Sequence, residues 1–272
     1  MDETERLRLI YERLGERYFL VKAPEVYDYD SRKLQRTAKN AGLFRTLERV
    51  YGRIPPVECG DCGDVCCRES PDVYLLEYLY VWRHLNYEAA LETRRRVIER
   101  SLRWELVFPA DEEAFCPFLE DRRCIIYAVR PFNCRVWGLE DEPYYRVKSA
   151  RARRAMAELE RVLSKRGVRF DAPLERRVLP RCERLSVAGD KRYSEEEVLE
   201  MDMTIALLHR DLIPPEAFRS HNFHTGFPLH VLLKLYAPAD VAKLRVEALK
   251  EFMSRGTTSL IGDIYSRLDD LP

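Results

Sequence analysis

The chain has 272 residues, with 46 basic residues balanced by 46 acidic ones, and hydrophobic residues make up 46% of it. A net charge of zero at pH 7 supplies no overall field toward nucleic acid or an anionic membrane surface, so neither is expected as a partner. No stretch approaches the roughly 20 apolar residues of a membrane span, and the charged start Met1-Asp2-Glu3-Thr4-Glu5-Arg6 has no apolar run behind it, so a cytoplasmic location is expected.

Most of the sequence carries a helical period. Leu7, Ile10, Tyr11, Leu14 and Tyr18 form one apolar stripe, and Leu34, Ala38, Ala41, Phe44, Leu47 and Val50 form a second. Pro55-Pro56 stops the second helix and opens an acidic loop, Glu58 to Cys67, in which Gly60 and Gly63 allow turns tight enough to aim several sulfurs inward. Asp61 and Asp64 read as backbone-bonding loop residues. Ser70-Pro71-Asp72 then predicts a helix start, with Leu75, Leu76, Leu79 and Trp82 carrying the helix to about His84. Asn86 reads as the cap of another helix that runs through Ala89, Ala90, Val97, Ile98 and Leu102 toward Trp104.

Cys116-Pro117-Phe118-Leu119, the polar turn Glu120 to Arg123, and Cys124-Ile125-Ile126-Tyr127 predict a small hairpin with one cysteine at the start of each arm. Pro131 suits the first turn of a short helix that places Cys134 near its N-terminus, where a thiolate is favoured. A basic helix follows from Arg146 to about Lys165 and reads as a solvated amphipathic face or as a groove for an anionic partner. Residues 171–192, with Cys182, read as an irregular linker. Ser194-Glu195-Glu196-Glu197 is a capping box for a helix ending near His209, and helices are expected around Leu229 to Tyr236 and from Ala239 to about Arg255. The fold class expected is mainly α: a helical domain with a small β-hairpin and a cysteine-rich loop around a metal centre. Its parts are N-terminal helices over 1–56, a cysteine-cluster core over 57–142 and a C-terminal helical region over 143–272, forming one composite domain.

The chemistry is concentrated in the cysteines. Seven of the eight lie between Cys59 and Cys134, written Cys59-x2-Cys62-x3-Cys66-Cys67, then Cys116, Cys124 and Cys134. Core cysteines are scattered by packing rather than gathered at such spacings, and in a reducing compartment thiols in this number are metal ligands before they are disulfides. Thiolates are soft donors that select zinc or iron–sulfur clusters, and seven of them exceed one four-sulfur site. Two metals with bridging thiolates, or one centre with spare sulfurs in other roles, both satisfy the count. The spacing matches neither a bacterial ferredoxin run nor a paired Cys-x2-Cys zinc ribbon.

Cys59-x2-Cys62-x3-Cys66-Cys67, followed by Cys116-Pro117-Phe118-Leu119, Cys124-x-Ile126-Tyr127 and Arg130-Pro131-x2-Cys134-Arg135, resembles the CxxCxxCC or YkgJ-like cysteine-cluster family, described as zinc- or iron-chelating proteins. The likeness covers about residues 57 to 137. One departure is the three residues between Cys62 and Cys66, where the family's name implies two. The resemblance implies metal binding by Cys59, Cys62, Cys66, Cys67, Cys116, Cys124 and Cys134. The flagellin lysine N-methylases are also similar in pattern, and for them an iron–sulfur cluster with S-adenosylmethionine is the implied chemistry.

Around the cysteines, Arg130 and Arg135 are candidates to neutralise thiolate charge or bind an anionic cofactor, or for ordinary salt bridges, and Tyr127 and Phe118 are candidates for apolar cover. Cys182 reads as a lone thiol or an eighth ligand. His221-x2-His224, with His230 beyond, is a source of nitrogen ligands set in a Gly and Pro turn. The leading expectation is a metalloprotein with an iron–sulfur cluster, 4Fe-4S favoured, open to group transfer or redox work on a protein or small-molecule substrate. The alternatives are a structural zinc module that organises a helical interaction protein, and a metal store.

Overall fold

The computed structural model describes residues 31–58, 65–177, 181–182, 185–187, 190–210, 212, 224–233, 236 and 238–265. The helix expected over Leu7 to Tyr18 lies outside the described residues, as do Cys59, Cys62 and His221.

The second apolar stripe forms two helices rather than one, α1 (Ser31–Asn40) and α2 (Leu43–Tyr51). Gly42 sits between them at φ 70°, a left-handed conformation that ends the first helix and redirects the second. The stripe still faces inward, since Ala38, Phe44, Leu47 and Val50 are buried; Ala41, at the break, is exposed. The strand β1 (Val57–Glu58) follows.

Ser70-Pro71-Asp72 does not start a helix. Asp72–Tyr74 is the strand β2, and helix α3 (Leu75–Glu88) begins only after it. The capping residue is Glu77, whose Oε2 accepts from the Tyr74 amide at 3.0 Å, and the Pro71 carbonyl is occupied by the Phe227 amide at 3.0 Å. Asn86 lies inside α3 instead of capping the next helix, because its Oδ1 accepts from Arg94 at 3.0 Å; helix α4 (Leu91–Val107) starts after a break at Ala89-Ala90.

The hairpin is present, with β3 (Leu119–Glu120) and β4 (Arg123–Cys124) antiparallel and Asp121-Arg122 as the two-residue turn, both at positive φ (45° and 61°). Cys116 stands three positions before the first arm and Cys124 ends the second, so the cysteines do not open the two arms. Arg100 of α4 donates to the Leu119 carbonyl at 2.7 Å and Arg96 pairs with Glu120 at 2.8 Å, which fixes the hairpin to α4.

After α5 (Phe132–Val136) come the long α6 (Glu142–Ser164), a short 3-10 turn Leu174–Arg177, β5 (Ser186–Val187), α7 (Glu195–Arg210), β6 (His224–Gly226), α8 (Phe227–Leu232), α9 (Pro238–Arg255) and α10 (Leu260–Tyr265). The capping box of α7 forms as its residues predict: the Ser194 amide donates to Glu197 Oε2 at 2.9 Å and the Glu197 amide to Ser194 Oγ at 3.2 Å. Two ladders beyond the hairpin have no forerunner in the sequence reading. β1 pairs with β5, so residues 186–187 of the expected linker are strand, and β2 pairs with β6.

α4 is covered by α8, α9 and α10. One buried cluster runs from Ala38 to Ile264 and is centred on fully buried Leu76, Leu79, Leu102, Leu106, Phe118, Phe132 and Phe227. A second, smaller core of Leu159, Leu163, Val168, Leu174 and Leu249 seats the end of α6.

Candidate metal centre

Five of the seven expected ligands are described, and they come from four separate pieces of chain. Cys66 and Cys67 lie on a 3-10 turn (Cys66–Arg68), Cys116 in the loop after α4, Cys124 at the end of β4 and Cys134 on α5. The Cys66 and Cys67 sulfurs are 4.0 Å apart. The Cys116 amide donates to the Cys67 carbonyl at 2.7 Å, which binds the hairpin arm to the cysteine turn, and the Ile125 amide donates to the Phe118 carbonyl at 3.0 Å beside Cys124. The six described cysteines, Cys182 included, are thiols.

The thiols feel one another. Burial pushes the Cys116 thiol well above its ordinary range, and the charges of Cys134, Cys124 and Cys66 push it further. Burial likewise raises Cys134, with Cys124 and Cys66 adding to it while Arg130 opposes it. Cys66 is raised first by its hydrogen bond with Cys67, then by burial. A helix start is therefore not enough to keep Cys134 ionised: α5 is only five residues long, and desolvation with neighbouring sulfur charge outweighs its dipole. Among the described residues, no three His, Cys, Asp or Glu side chains stand in an arrangement that could hold a metal ion.

The flanking residues divide by role. Arg130 is buried, with its guanidinium over the Tyr127 ring at 4.2 Å, close enough to the sulfurs to oppose the rise in Cys66 and Cys134. Arg135 is committed to the backbone: Nε donates to the Arg130 carbonyl and an Nη to the Ala128 carbonyl, both at 2.8 Å, with the guanidinium over Tyr51 at 4.2 Å. The Tyr127 hydroxyl donates to the Val57 carbonyl, anchoring β1 immediately before Cys59. With 41% of its surface exposed, Tyr127 is an anchor more than a cover, whereas Phe118, Ile126 and Phe132, each 1% exposed, supply the apolar wall. Cys182 is buried against Gly138, where an added Cβ would come within 3.2 Å of Cys182 Cβ.

Two groups that the sequence reading passed over matter here. Glu77, 2% exposed, accepts from the Tyr51 hydroxyl and the Phe132 amide at 2.7 Å each and from the Tyr74 amide at 3.0 Å, so a single carboxylate ties α2, the start of α3 and the start of the Cys134 helix. Its signal was an acidic residue inside the apolar run Leu75-Leu76-Glu77-Tyr78-Leu79. The second group surrounds His224. Asn133, next to Cys134, donates to the Asp72 carbonyl at 3.0 Å and lies 3.4 Å from His224 Nε2; the His224 ring packs on Tyr74 at 4.4 Å, and the Tyr74 hydroxyl donates to Asp202 at 3.1 Å. His230 belongs to the core, 3.4 Å from the Val73 carbonyl and stacked on Tyr78.

Burial raises the Asp202 carboxyl from 3.8 to about 6, opposed in part by the charge of His224. Because the folded value is the higher one, the neutral acid favours folding; that contribution is complete below pH 3.8 and is lost as pH rises through about 6. Asp202→Asn is therefore expected to stabilise the chain by up to about 3 kcal/mol at pH 8 and to change little at pH 4. Urea titrations at the two pH values check this, and an equal effect at both would refute it.

No family model, curated protein or solved structure matches the chain. Among the described residues no helix is long and apolar enough to cross a membrane.

Proposed function

We propose that the chain is a cysteine-ligated metalloprotein in which metal binding draws Cys66, Cys67, Cys116, Cys124 and Cys134 into one centre that the described residues do not hold ready-made, with Cys59 and Cys62 as further ligands. The geometry that carries this reading is that the Cys66 and Cys67 sulfurs stand 4.0 Å apart, that the Cys116 amide is bonded to the Cys67 carbonyl, and that Cys124 and Cys134 lie near enough for their charges to add to burial in pushing the Cys116 thiol up. Left to themselves these buried sulfurs stay neutral thiols; a bound metal is what would let several of them coexist as thiolates. The donors are sulfur, which fits zinc or iron–sulfur and does not fit magnesium or calcium.

Seven sulfurs exceed the four that either one zinc ion or one iron–sulfur cluster takes. The cluster is preferred on the pattern's resemblance to the flagellin lysine N-methylases, and its contribution when bound would be electron transfer or substrate activation at iron. The protein's own part is to exclude water with Phe118, Ile126 and Phe132, to offset charge with Arg130, and to orient Cys134 through Glu77. A second reading, structural zinc, is supported by the 4.0 Å between the Cys66 and Cys67 sulfurs. Two thiolates on one tetrahedral ion with Zn–S bonds of about 2.3 Å stand about 3.8 Å apart, whereas terminal thiolates on a cubane bind different irons.

Anaerobic purification followed by iron, sulfide, zinc and visible-absorption measurements decides between them. The expected result is bound metal, lost in Cys116→Ser and in Cys134→Ser. A protein with less than about 0.1 metal per chain, unchanged by supplying iron and sulfide or zinc, would overturn the proposal. If zinc is structural, chelation unfolds the chain; if a cluster serves chemistry, the cluster-free chain keeps its helical circular dichroism.

A further inference from the structure

The part of the chain after the sulfur arm is charged unlike the whole. Residues 143–192 hold fifteen Lys and Arg against six Asp and Glu, while the full sequence balances at 46 and 46. α6 occupies the first half of that segment. Its Leu159 and Leu163 enter the smaller core. At about 100° per residue, the opposite side carries Arg146, Arg153, Arg154 and Arg161, followed by Lys165 at the C-cap, and all five are exposed. Arg166 and Arg169 extend the exposed set past the helix end, and Lys250 of α9 joins it, since a Cβ on Gly167 would meet Lys250 Nζ at 3.6 Å.

Some of these charges have local explanations. Arg146 pairs with Glu142 at 2.8 Å and Arg161 with Glu158, both within the helix. Lys165 and Arg166 stand at a helix C-terminus, where cations are favoured. Arg153 and Arg154 have neither explanation: they stand in mid-helix, about three turns from the C-cap, with no ion pair to a described acidic side chain. A face that gathers charges of one sign carries a positive potential, which a partner's carboxylates would neutralise.

The same face has exposed Ala150, Ala157 and Ser164 between the cations, so its middle is low, and no aromatic side chain stands there to stack a nucleobase. The guanidinium fork matches a carboxylate with two parallel hydrogen bonds. We infer that the outward face of α6, with Arg166, Arg169 and Lys250 at its C-terminal end, is a docking surface for an acidic helical segment of a protein partner. The flanking guanidiniums pair with carboxylates on that segment, and small apolar side chains of the segment settle over Ala150 and Ala157. The inference is independent of what the cysteines hold.

The test uses the full chain and two probes: a fluorescent helical peptide of about 20 residues, mostly Glu with Ala at every seventh position, and an oligothymidylate of the same length. The peptide is expected to bind at about 50 mM salt and to weaken on raising salt to about 300 mM. Arg153→Glu with Arg154→Glu is expected to weaken it at least about tenfold, with circular dichroism unchanged. Arg153→Ala with Arg154→Ala, which introduces no new repulsion, should lose part of the affinity and serves if the reversed pair fails to fold. Absence of peptide binding, or equal binding by both variants, overturns the inference; tighter binding of the oligothymidylate overturns it in favour of nucleic acid.

Discussion

Glu77→Ala is expected to lower the free energy of unfolding by about 4 kcal/mol, the largest loss of any single change at a polar side chain near the cysteines. The carboxylate is buried and accepts three hydrogen bonds, from Tyr51 Oη, the Phe132 amide and the Tyr74 amide. Removing it leaves two backbone amides and a hydroxyl without an acceptor in an apolar setting, and bonds of this kind to a charged group are worth about 1.5–3 kcal/mol each. Relaxation and water entry recover part of the sum. Glu77→Gln keeps one oxygen, for Tyr51 and Phe132, but turns an amide N–H₂ toward the Tyr74 N–H, so its expected cost is about 1–2 kcal/mol. Urea unfolding of the two variants gives the comparison. Equal stabilities for Ala and Gln would show that the three bonds do not account for the carboxylate's burial. Because the Phe132 bond holds the first turn of the Cys134 helix, the Ala variant is also expected to bind metal more weakly than the Gln variant.

The second large effect concerns the buried pair Glu105 and Arg245, joined at 2.7 Å between α4 and α9, with a further bond from Arg245 to the Phe108 carbonyl at 2.8 Å. Both partners are displaced toward neutrality despite facing each other. Burial raises the Glu105 carboxyl above its ordinary range, and burial lowers the Arg245 guanidinium to about 10. Desolvation thus outweighs attraction at each end, which marks a pair that is costly to break and of little net benefit to keep. Glu105→Leu alone strands a buried cation and is expected to cost about 3–5 kcal/mol; Arg245→Met alone strands the carboxylate at similar cost. The double variant is expected to return to within about 1 kcal/mol of the parent. A double-mutant cycle measures this: a double variant that stays about 3 kcal/mol or more below the parent would show that the ion pair is a net stabiliser, and strictly additive losses would show that the two side chains do not couple.

Periodicity located the helices well where a stripe was long and its ends carried side-chain caps. α6, α7 and α9 lie within a few residues of their expected bounds because Asp141 with Pro143, the Ser194 box and the Pro238 start are local signals. The failures share a cause. Ser70-Pro71-Asp72 has the composition of a helix start, but β6, 150 or more residues away in sequence, pairs with Asp72, Val73 and Tyr74 and holds them extended. Asn86 has the composition of a cap, but Arg94 takes its oxygen within the turn. Likewise the roles of Arg135 and Tyr127 depend on which carbonyls lie nearby: the motif suggested charge and cover, while the fold gives Arg135 to the Arg130 and Ala128 carbonyls and Tyr127 to Val57. The cysteines were legible as a group, since their density needs no tertiary knowledge. Glu77 and Asp202 were not, because a buried carboxylate looks the same in sequence as one on a solvated helix.

The ladder between β1 and β5 pairs Val57 with Val187 and Glu58 with Ser186, and it is only two residues long on each side. Closing a loop of about 130 residues for so few bonds is entropically unfavourable until something else has already brought the ends together. The packing of α4 on α8 and α9 spans a similar separation but buries far more surface, so the two-residue ladder is expected to close after it. Residues 186–187 share the holding of β1 with the Tyr127 hydroxyl, which donates to the Val57 carbonyl. In refolding, helical signal is expected to recover before the β1–β5 ladder closes, which amide hydrogen exchange at Val57 and Val187 against far-ultraviolet circular dichroism would check.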